Sequence, residues 1–160
     1  MFELWGKILK DIPKLKKLSI KNNFSIFHSL IAEIFSDLLV GLGNPTPDSN
    51  DNRHNIGFKI IDAINKKFAL SKQKPKFKGL LTTGNISNKK VYAIKPLTFM
   101  NNSGICIREL IEYFKINAEN VIVFHDDLDI DFGKIKAKFG GSSAGHNGIE
   151  SIDKFIGKEY

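Results

Sequence analysis

From residue 37 onward, short apolar runs alternate with longer amphipathic segments, and this alternation restricts the possible folds most strongly. Four runs read as strands, at 38–42, 79–86, 91–94 and 121–124. Between them, Ile60, Ile64 and Phe68 recur at helical spacing, as do Ile107, Leu110 and Phe114. Strands that alternate with helices predict a three-layer α/β domain with a mixed, mostly parallel central sheet flanked by helices.

The finer pattern predicts the remaining connections. The runs at 79–86 and 91–94 are joined by Ser87-Asn88-Lys89-Lys90, which predicts an antiparallel hairpin. Residues 72–78, with several lysines and Pro75, are predicted to form a basic connector. Lys134 to Phe139 alternates lysine with apolar residues, which predicts a half-exposed strand. A last helix is predicted from about Asn147 to Phe155.

Composition narrows the class of protein. A chain of 160 residues that is 42% hydrophobic has room for one domain with one sizeable core. Its single cysteine, Cys106, excludes a disulfide framework and favours the cytoplasm. It has no run of eighteen apolar residues, so no membrane association is predicted. The net charge of +7 favours a polyanionic partner such as nucleic acid, or an acidic surface.

The first 36 residues differ from the rest of the chain. Lysines alternate there with Ile, Leu and Phe, and Pro13 interrupts any helix. The segment contains acidic residues and no arginine, unlike a transit peptide. We therefore predict two regions: an N-terminal extension of unknown role at 1–36 and a catalytic domain at 37–160.

Four polar clusters follow predicted strands. They are Asn44 with the loop to His54, then residues 98–102, residues 125–127, and residues 140–147. Ligands of open α/β sheets bind outside the carboxyl ends of the strands. If most strands run in one direction, these clusters converge on one edge of the sheet.

Three familiar sites fit the sequence poorly. Gly41-Leu42-Gly43-Asn44 lacks the third glycine of a dinucleotide-binding turn and is followed by Pro45. The acidic residues at 127, 129 and 131 resemble a calcium loop, but Lys138 stands where a glutamate is needed. Residues 141–145 match the Gly-x-Ser-x-Gly elbow of serine esterases, yet no suitable histidine follows far downstream. A serine esterase using Ser143 stays the weakest alternative.

His54 and Asp126 are the pair with catalytic potential. A neutral imidazole accepts a proton from water near pH 7, and a carboxylate on its other nitrogen fixes the tautomer. Asn44, Asn101 and Asn147 offer amides that can orient a carbonyl or stabilise an oxyanion. Taken alone, His54 is more typical of a cap or surface residue, and each of the three asparagines is more typical of a turn or helix cap.

Four motifs together resemble the bacterial-type peptidyl-tRNA hydrolases. They are Leu39-Val40-Gly41-Leu42-Gly43-Asn44-Pro45 with Arg53-His54-Asn55-Ile56-Gly57-Phe58, then Lys95-Pro96-Leu97-Thr98-Phe99-Met100-Asn101-Asn102-Ser103-Gly104, then His125-Asp126-Asp127-Leu128-Asp129, then Gly145-His146-Asn147-Gly148. Their order and spacing match the family from about Asp37 to Tyr160.

The resemblance implies an esterase that cleaves the bond between the peptide and the 3′ adenosine of peptidyl-tRNA, recycling tRNA from aborted translation. It implies that His54 is the general base, that Asp126 orients it and that Asn44 shares the catalytic site. By the same likeness, Met100, Asn101 and Asn147 bind the substrate. Lys136, Lys138 and His146 are implied to contact the tRNA, and a monomer without metal or other cofactor is expected.

The sequence also departs from the family pattern. Residues 46–49 lack the aromatic residue that the family often has there, and Ser142-Ser143-Ala144 replaces a glycine-rich stretch. The family continues past the position of Tyr160 into a basic strand and helices, so the domain is expected to be C-terminally incomplete. The alternative function is therefore a catalytically impaired remnant that still binds tRNA, and reduced stability is expected.

Overall fold

A computed structural model of the chain describes residues 37–46, 52–130 and 136–160. Its strands are β1 (Leu38–Gly41), β2 (Lys74–Lys76), β3 (Gly79–Ile86), β4 (Lys89–Pro96) and β5 (Val121–Phe124). Its helices are α1 (Ile56–Lys67), α2 (Ser103–Phe114) and α3 (Asn147–Ile156). Short 3-10 turns occur at Arg53–Asn55, Met100–Asn102 and Ala118–Asn120. The predicted extension at 1–36 lies outside the described residues and stays a prediction.

The strands form one mixed sheet in the order β2-β3-β4-β1-β5. β1 pairs in parallel with β4 and β5, whereas β2 with β3 and β3 with β4 pair in antiparallel fashion. Four of the five described strands therefore point the same way, although parallel and antiparallel pairings are equally frequent. The mixed sheet is confirmed.

The sheet is covered on both faces, which confirms the three layers. Leu38 and Val40 of β1 point to the side of α2 and α3, where they join Leu110 and Ile152 in the larger core. Leu39 points to the side of α1 and packs in a second core with Ile61, Ile64, Ile86, Val91 and Ala93. Successive residues of a strand alternate between faces, so β1 contributes to both cores.

The predicted hairpin is confirmed, with a tighter turn. Ile86 pairs with Lys89, so only Ser87 and Asn88 lie between β3 and β4. Their φ angles are 49° and 67°. Two positive φ angles are what a type I′ turn requires, and its twist matches that of the flanking strands.

Two local predictions are wrong. The predicted basic connector at 72–78 contains a strand, β2, whose three residues are all exposed. It forms because β3 offers unpaired backbone groups to it, and Pro75, which has no N–H, is tolerated at such an edge. The predicted strand over Lys134–Phe139 is absent at 136–139, and positions 134 and 135 lie outside the described residues. Phe139 is 71% exposed, so apolar alternation there reflects no buried face.

Candidate active site

The predicted convergence of polar clusters is confirmed by a pocket of about 290 Å³ at the carboxyl ends of β1 and β5 and the start of α3. Seven of the nine predicted site residues line it: Asn44, His54, Met100, Asp126, Lys138, His146 and Asn147. Asn101 and Lys136 do not belong to its lining and are exposed. His125 and Ser143 line it as well.

His54 and Asp126, 72 residues apart in the chain, form a hydrogen-bonded pair in this pocket. The Nδ1 atom of His54 lies 2.8 Å from one carboxylate oxygen of Asp126 and 3.0 Å from the other. An ionised carboxylate only accepts hydrogen bonds, so Nδ1 carries the proton and donates. The Nε2 atom of His54 is then the ring nitrogen that can accept a proton, and the side chain is 44% exposed.

His146 is the second imidazole on the same carboxylate. Its Nδ1 atom accepts hydrogen bonds from the backbone N–H groups of Gly148 and Ile149, at 3.1 and 3.3 Å, and so caps α3. Because Nδ1 is an acceptor, the proton of the neutral ring is on Nε2. That atom lies 3.3 Å from the carboxylate of Asp126. The start of α3 therefore fixes the tautomer of His146 as a donor to Asp126.

Two pKa shifts follow from this arrangement. Burial alone would raise the pKa of Asp126, but the hydrogen bond and charge of His54, together with His146, hold it below its ordinary value. Burial lowers the pKa of His146, as does neighbouring His125, against the opposing effect of Asp126. Asp126 therefore stays ionised and His146 stays neutral at neutral pH.

Asn55 fixes the loop that carries Asn44. The side-chain oxygen of Asn55 accepts a hydrogen bond from the backbone N–H of Asn44 at 2.7 Å, and its amide donates to the Asn44 carbonyl at 3.1 Å. Asn55 is only 3% exposed, so these bonds satisfy a buried polar group. Sequence reasoning assigned no role to Asn55, because only its burial distinguishes it from a turn residue.

Gly57 brings the backbone of α1 against the ends of β1 and β5. A Cβ atom at Gly57 would lie 2.4 Å from the carbonyl oxygens of Leu42 and Phe124. The N–H of Leu42 donates to that same Phe124 carbonyl at 2.9 Å. His54 precedes Gly57 by three residues and Asp126 follows Phe124 by two. This close backbone approach therefore brings together the two segments that carry His54 and Asp126.

The other wall of the pocket is formed where α3 begins. The Met100 thioether packs beside Gly148, where a Cβ atom would lie 2.6 Å from the sulfur. Asn147 is the first residue of α3 and is exposed. His125, to which sequence reasoning gave no role of its own, donates from Nδ1 to the Asp126 carbonyl at 2.7 Å. Its ring meets that of His146 edge-on, with centroids 4.8 Å apart.

The serine loop lacks the features of a nucleophile elbow. The described residues before it, 136–139, form no strand, and the positive φ, 48°, belongs to Ala144 rather than to Ser143. The carbonyl of Ser143 accepts a hydrogen bond from the His146 N–H at 2.9 Å. Both ring nitrogens of His146 are engaged elsewhere, so this histidine is not a base for Ser143.

Lys138 borders the pocket from the same loop. Its ammonium group donates to the Ser142 carbonyl at 2.5 Å. Across the described ranges, no group of three or more His, Cys, Asp or Glu side chains is arranged to hold a metal ion. The expectation that no metal or cofactor takes part stays a prediction.

Comparison with known proteins gives the family. The sequence profile of the peptidyl-tRNA hydrolase family matches residues 38–160. The chain is thus an α/β domain with a hydrogen-bonded histidine and carboxylate in its pocket. It belongs to the peptidyl-tRNA hydrolase family.

Individual relatives agree with the family profile. The peptidyl-tRNA hydrolase of Pelagibacter ubique is 86% identical over 123 residues, covering 77% of this chain and 66% of that protein. That of Neorickettsia sennetsu is 46% identical over 130 residues, covering 81% of this chain and 67% of that protein. The crystal structure of the Acinetobacter baumannii enzyme superposes with a TM-score of 0.76 at 36% identity, covering 79% of this chain and 65% of that one. The chain spans about two thirds of the length of these relatives.

Proposed function

We propose that this chain hydrolyses the ester between the peptide and the 3′ adenosine of peptidyl-tRNA. The observation that carries the proposal is the His54–Asp126 pair, held in a pocket of about 290 Å³. Family membership supports the same substrate class. The products are a free peptide and a reusable tRNA.

In the proposed mechanism, His54 acts as the general base. Its Nε2 atom takes a proton from a water molecule while that water attacks the ester carbonyl carbon. The C–O bond to the ribose then breaks, and the imidazolium returns the proton to the leaving ribose oxygen. Asp126 keeps Nδ1 protonated throughout and stabilises the charged ring, as a carboxylate does for a catalytic histidine.

The asparagines and Met100 are proposed to hold the substrate. Amide donors near the scissile carbonyl stabilise the oxyanion that forms during attack, and Asn44 and Asn147 line the pocket where such donors are needed. Met100 offers an adaptable apolar surface for peptides of different sequence. Asn101 lies next to Met100 outside the pocket lining, so its proposed contact is with a part of the substrate that extends beyond the pocket.

The tRNA is proposed to contact the loop beside the pocket. Lys138 borders the pocket and Lys136 is exposed two residues away, which suits contacts to phosphates. His146 was predicted to assist there, but its side chain is 12% exposed and both nitrogens are engaged. We infer instead that His146 positions Asp126.

We further infer a monomer in the cytoplasm. None of the helices in the described ranges is long and apolar enough to cross a membrane. Sedimentation equilibrium of the purified chain tests the oligomeric state. A monomer has a mass of 18.0 kDa, and a dimer would have twice that mass.

Hydrolysis of a peptidyl-tRNA by the purified chain tests the proposed activity. The His54→Gln and Asp126→Asn variants are expected to lower kcat by a factor of about 10² to 10⁴, the usual contribution of general base catalysis. The Ser143→Ala variant is the matched control from the same pocket and is expected to keep its activity.

The outcomes separate the alternatives. Loss of activity in Ser143→Ala but not in His54→Gln would indicate a serine esterase. A folded chain that binds tRNA without releasing peptide would indicate the impaired remnant. Activity that survives in both His54→Gln and Asp126→Asn would exclude the proposed mechanism.

A further inference from the structure

Four aromatic rings pack together where the end of α2 lies over the β2–β3 hairpin, away from the pocket. The rings of Tyr92 and Phe114 stack with centroids 4.0 Å apart. Phe77 lies 5.7 Å from Phe114 and 5.2 Å from Tyr113. Tyr113 is 62% exposed. A row of rings therefore runs from the buried Tyr92 to the exposed Tyr113.

Lysines surround this row. The ammonium group of Lys76 lies 4.3 Å from the ring centre of Tyr113 and 4.8 Å from that of Phe77. That of Lys90 lies 5.2 Å from the centre of Tyr92. Lys74 lies two residues before Lys76 on the same strand face, and Lys115 follows Phe114 directly; both are exposed. We call these eight residues the basic-aromatic face.

The positive charge of this face is not balanced locally. Within the described part of the chain, no carboxylate pairs with Lys74, Lys76, Lys90 or Lys115. The two glutamates on the nearby part of α2 are already paired, Glu109 with Lys78 and Glu112 with Arg108. A polyanion approaching this surface therefore meets four lysines that form no ion pair with a carboxylate of the described residues.

The backbone holds Phe77 in this position. Lys76 pairs with Gly79, so Phe77 and Lys78 alone form the turn between β2 and β3. Their φ angles are 53° and 54°, a conformation that bulky residues rarely adopt. The surrounding structure must stabilise such a turn, because positive φ angles are strained for residues with bulky side chains. The aromatic contacts of Phe77 and the ion pair of Lys78 do so.

We propose that the basic-aromatic face binds RNA, its lysines on the phosphate backbone and Tyr113 stacked on an unpaired base. Lysines beside an exposed aromatic ring are the chemistry by which proteins hold single-stranded nucleic acid without reading its sequence. That the RNA is the tRNA of the substrate rests on the proposed function. β2 lies three strands from β1, about 14 Å at the usual strand spacing. One tRNA can therefore reach both the pocket and this face.

Binding of deacylated tRNA and of poly(U), followed by fluorescence anisotropy over a range of salt concentrations, tests the proposal without requiring hydrolysis. The variant Lys74→Gln with Lys115→Gln removes two charges outside the ring contacts. Its Kd for tRNA is expected to rise on the order of tenfold at low salt, and the slope of log Kd against log salt to fall by about 1.4 to 1.8. Tyr113→Leu is expected to weaken poly(U) binding roughly fivefold or more.

The matched control is Lys66→Gln with Lys154→Gln, which removes the same charge elsewhere. Lys66 lies on α1, across the sheet, and Lys154 is exposed on α3. Equal weakening in both double variants, or no weakening in Lys74→Gln with Lys115→Gln, would overturn the proposal. So would displacement of tRNA by polyglutamate as effectively as by poly(U).

The binding and hydrolysis results are separable. If the unaltered chain releases no peptide but binds tRNA through this face, the proposed activity fails and this inference stands. If the chain hydrolyses peptidyl-tRNA and both double variants bind tRNA as the unaltered chain does, only this inference fails.

Discussion

At the scale of single residues, Asp126 accepts hydrogen bonds from two imidazoles, those of His54 and His146, which have different roles. His54 is half-exposed, and its Nε2 atom is the proposed acceptor of the proton from water. The ring of His146 is instead held by hydrogen bonds from the start of α3. Protonation of His146 would place a proton on Nδ1, facing two backbone N–H donors. The helix N-terminus therefore opposes the charged form of this ring.

This arrangement predicts a loss of stability on mild acidification. The pKa of His146 lies below 6.5 in the folded protein, so the unfolded chain takes up this proton first as the pH falls. The contribution of neutral His146 is complete above about pH 6.5 and is lost as the pH falls below that value. Urea unfolding at pH 7.5 and pH 5.5 should show a smaller pH difference in His146→Asn than in the unaltered chain.

Asparagine suits this test because it also caps helices. The His146→Asn variant should thus keep α3 while losing the titrating ring and the contact to Asp126. Its kcat should fall while the KM for peptidyl-tRNA changes little, as expected of a positioning residue. An unchanged pH difference in unfolding would show that other histidines cause the effect.

Gly57 permits a second prediction at this scale. Alanine favours helices by about 1 kcal/mol over glycine, but at Gly57 its Cβ would clash with backbone atoms of Leu42 and Phe124. Backbone cannot move aside as a side chain does, so Gly57→Ala should lower the free energy of unfolding by about 2 kcal/mol or more. Thermal or urea unfolding measures this change.

Gly84→Ala is the comparison. Its Cβ would meet chiefly the end of the flexible Leu70 side chain, so a change below about 1 kcal/mol is expected. Equal stability losses in the two variants would contradict the argument from backbone contact.

At the scale of elements, the β3–β4 turn is not occupied by its best residues. Type I′ turns favour Asn-Gly, and here the pair is Ser87-Asn88. Asn88→Gly should therefore raise the free energy of unfolding by about 0.5 to 1 kcal/mol, because glycine adopts positive φ without strain. Asn88→Val should lower it, and urea unfolding of both variants checks the order.

Elements were predictable where the sequence carries a periodic apolar pattern. The stripe of Ile60, Ile64 and Phe68 predicted α1 because one face of that helix is buried against the sheet. β2 carried no such pattern, since it is fully exposed and depends on the free edge of β3. The apolar alternation around Phe139 predicted a strand that does not form at 136–139. In the described part of the chain, these apolar side chains do not pack against a sheet.

The position of the site could be predicted from the sequence, but the contacts that hold its residues in place could not. Strand ends and their polar residues located the pocket, and the chemistry of imidazole and carboxylate selected His54 and Asp126. The clamp by Asn55 and the cap by His146 depend on burial and on hydrogen-bond direction, which a sequence does not display. Asn101, predicted both for its amide and by the family likeness, is exposed outside the pocket lining, although its neighbour Met100 lines the pocket.

At the scale of the whole molecule, β1 joins the two cores into one unit. Leu39 packs towards α1 while Leu38 and Val40 pack towards α2 and α3. We therefore predict one cooperative unfolding transition. Ile64→Val and Ile107→Val, in opposite cores, should each lower the free energy of unfolding by about 0.5 to 1.5 kcal/mol. The double variant should show their sum to within about 0.5 kcal/mol.

Urea unfolding followed by fluorescence and by circular dichroism checks this prediction. Coincident curves are expected for all three variants, since a shared strand couples the cores. Two separated transitions, or an Ile64→Val variant that loses only part of its signal early, would show that the layers unfold independently.

The contact of Gly57 with Leu42 and Phe124 also bears on how freely this protein can change its sequence. The segments that carry the base and its carboxylate are brought together by main-chain atoms, and this contact requires that position 57 remains glycine. Core side chains can therefore be exchanged to suit a colder or warmer setting while the catalytic spacing is kept. Adaptation of stability and preservation of chemistry are, in this fold, largely separate problems.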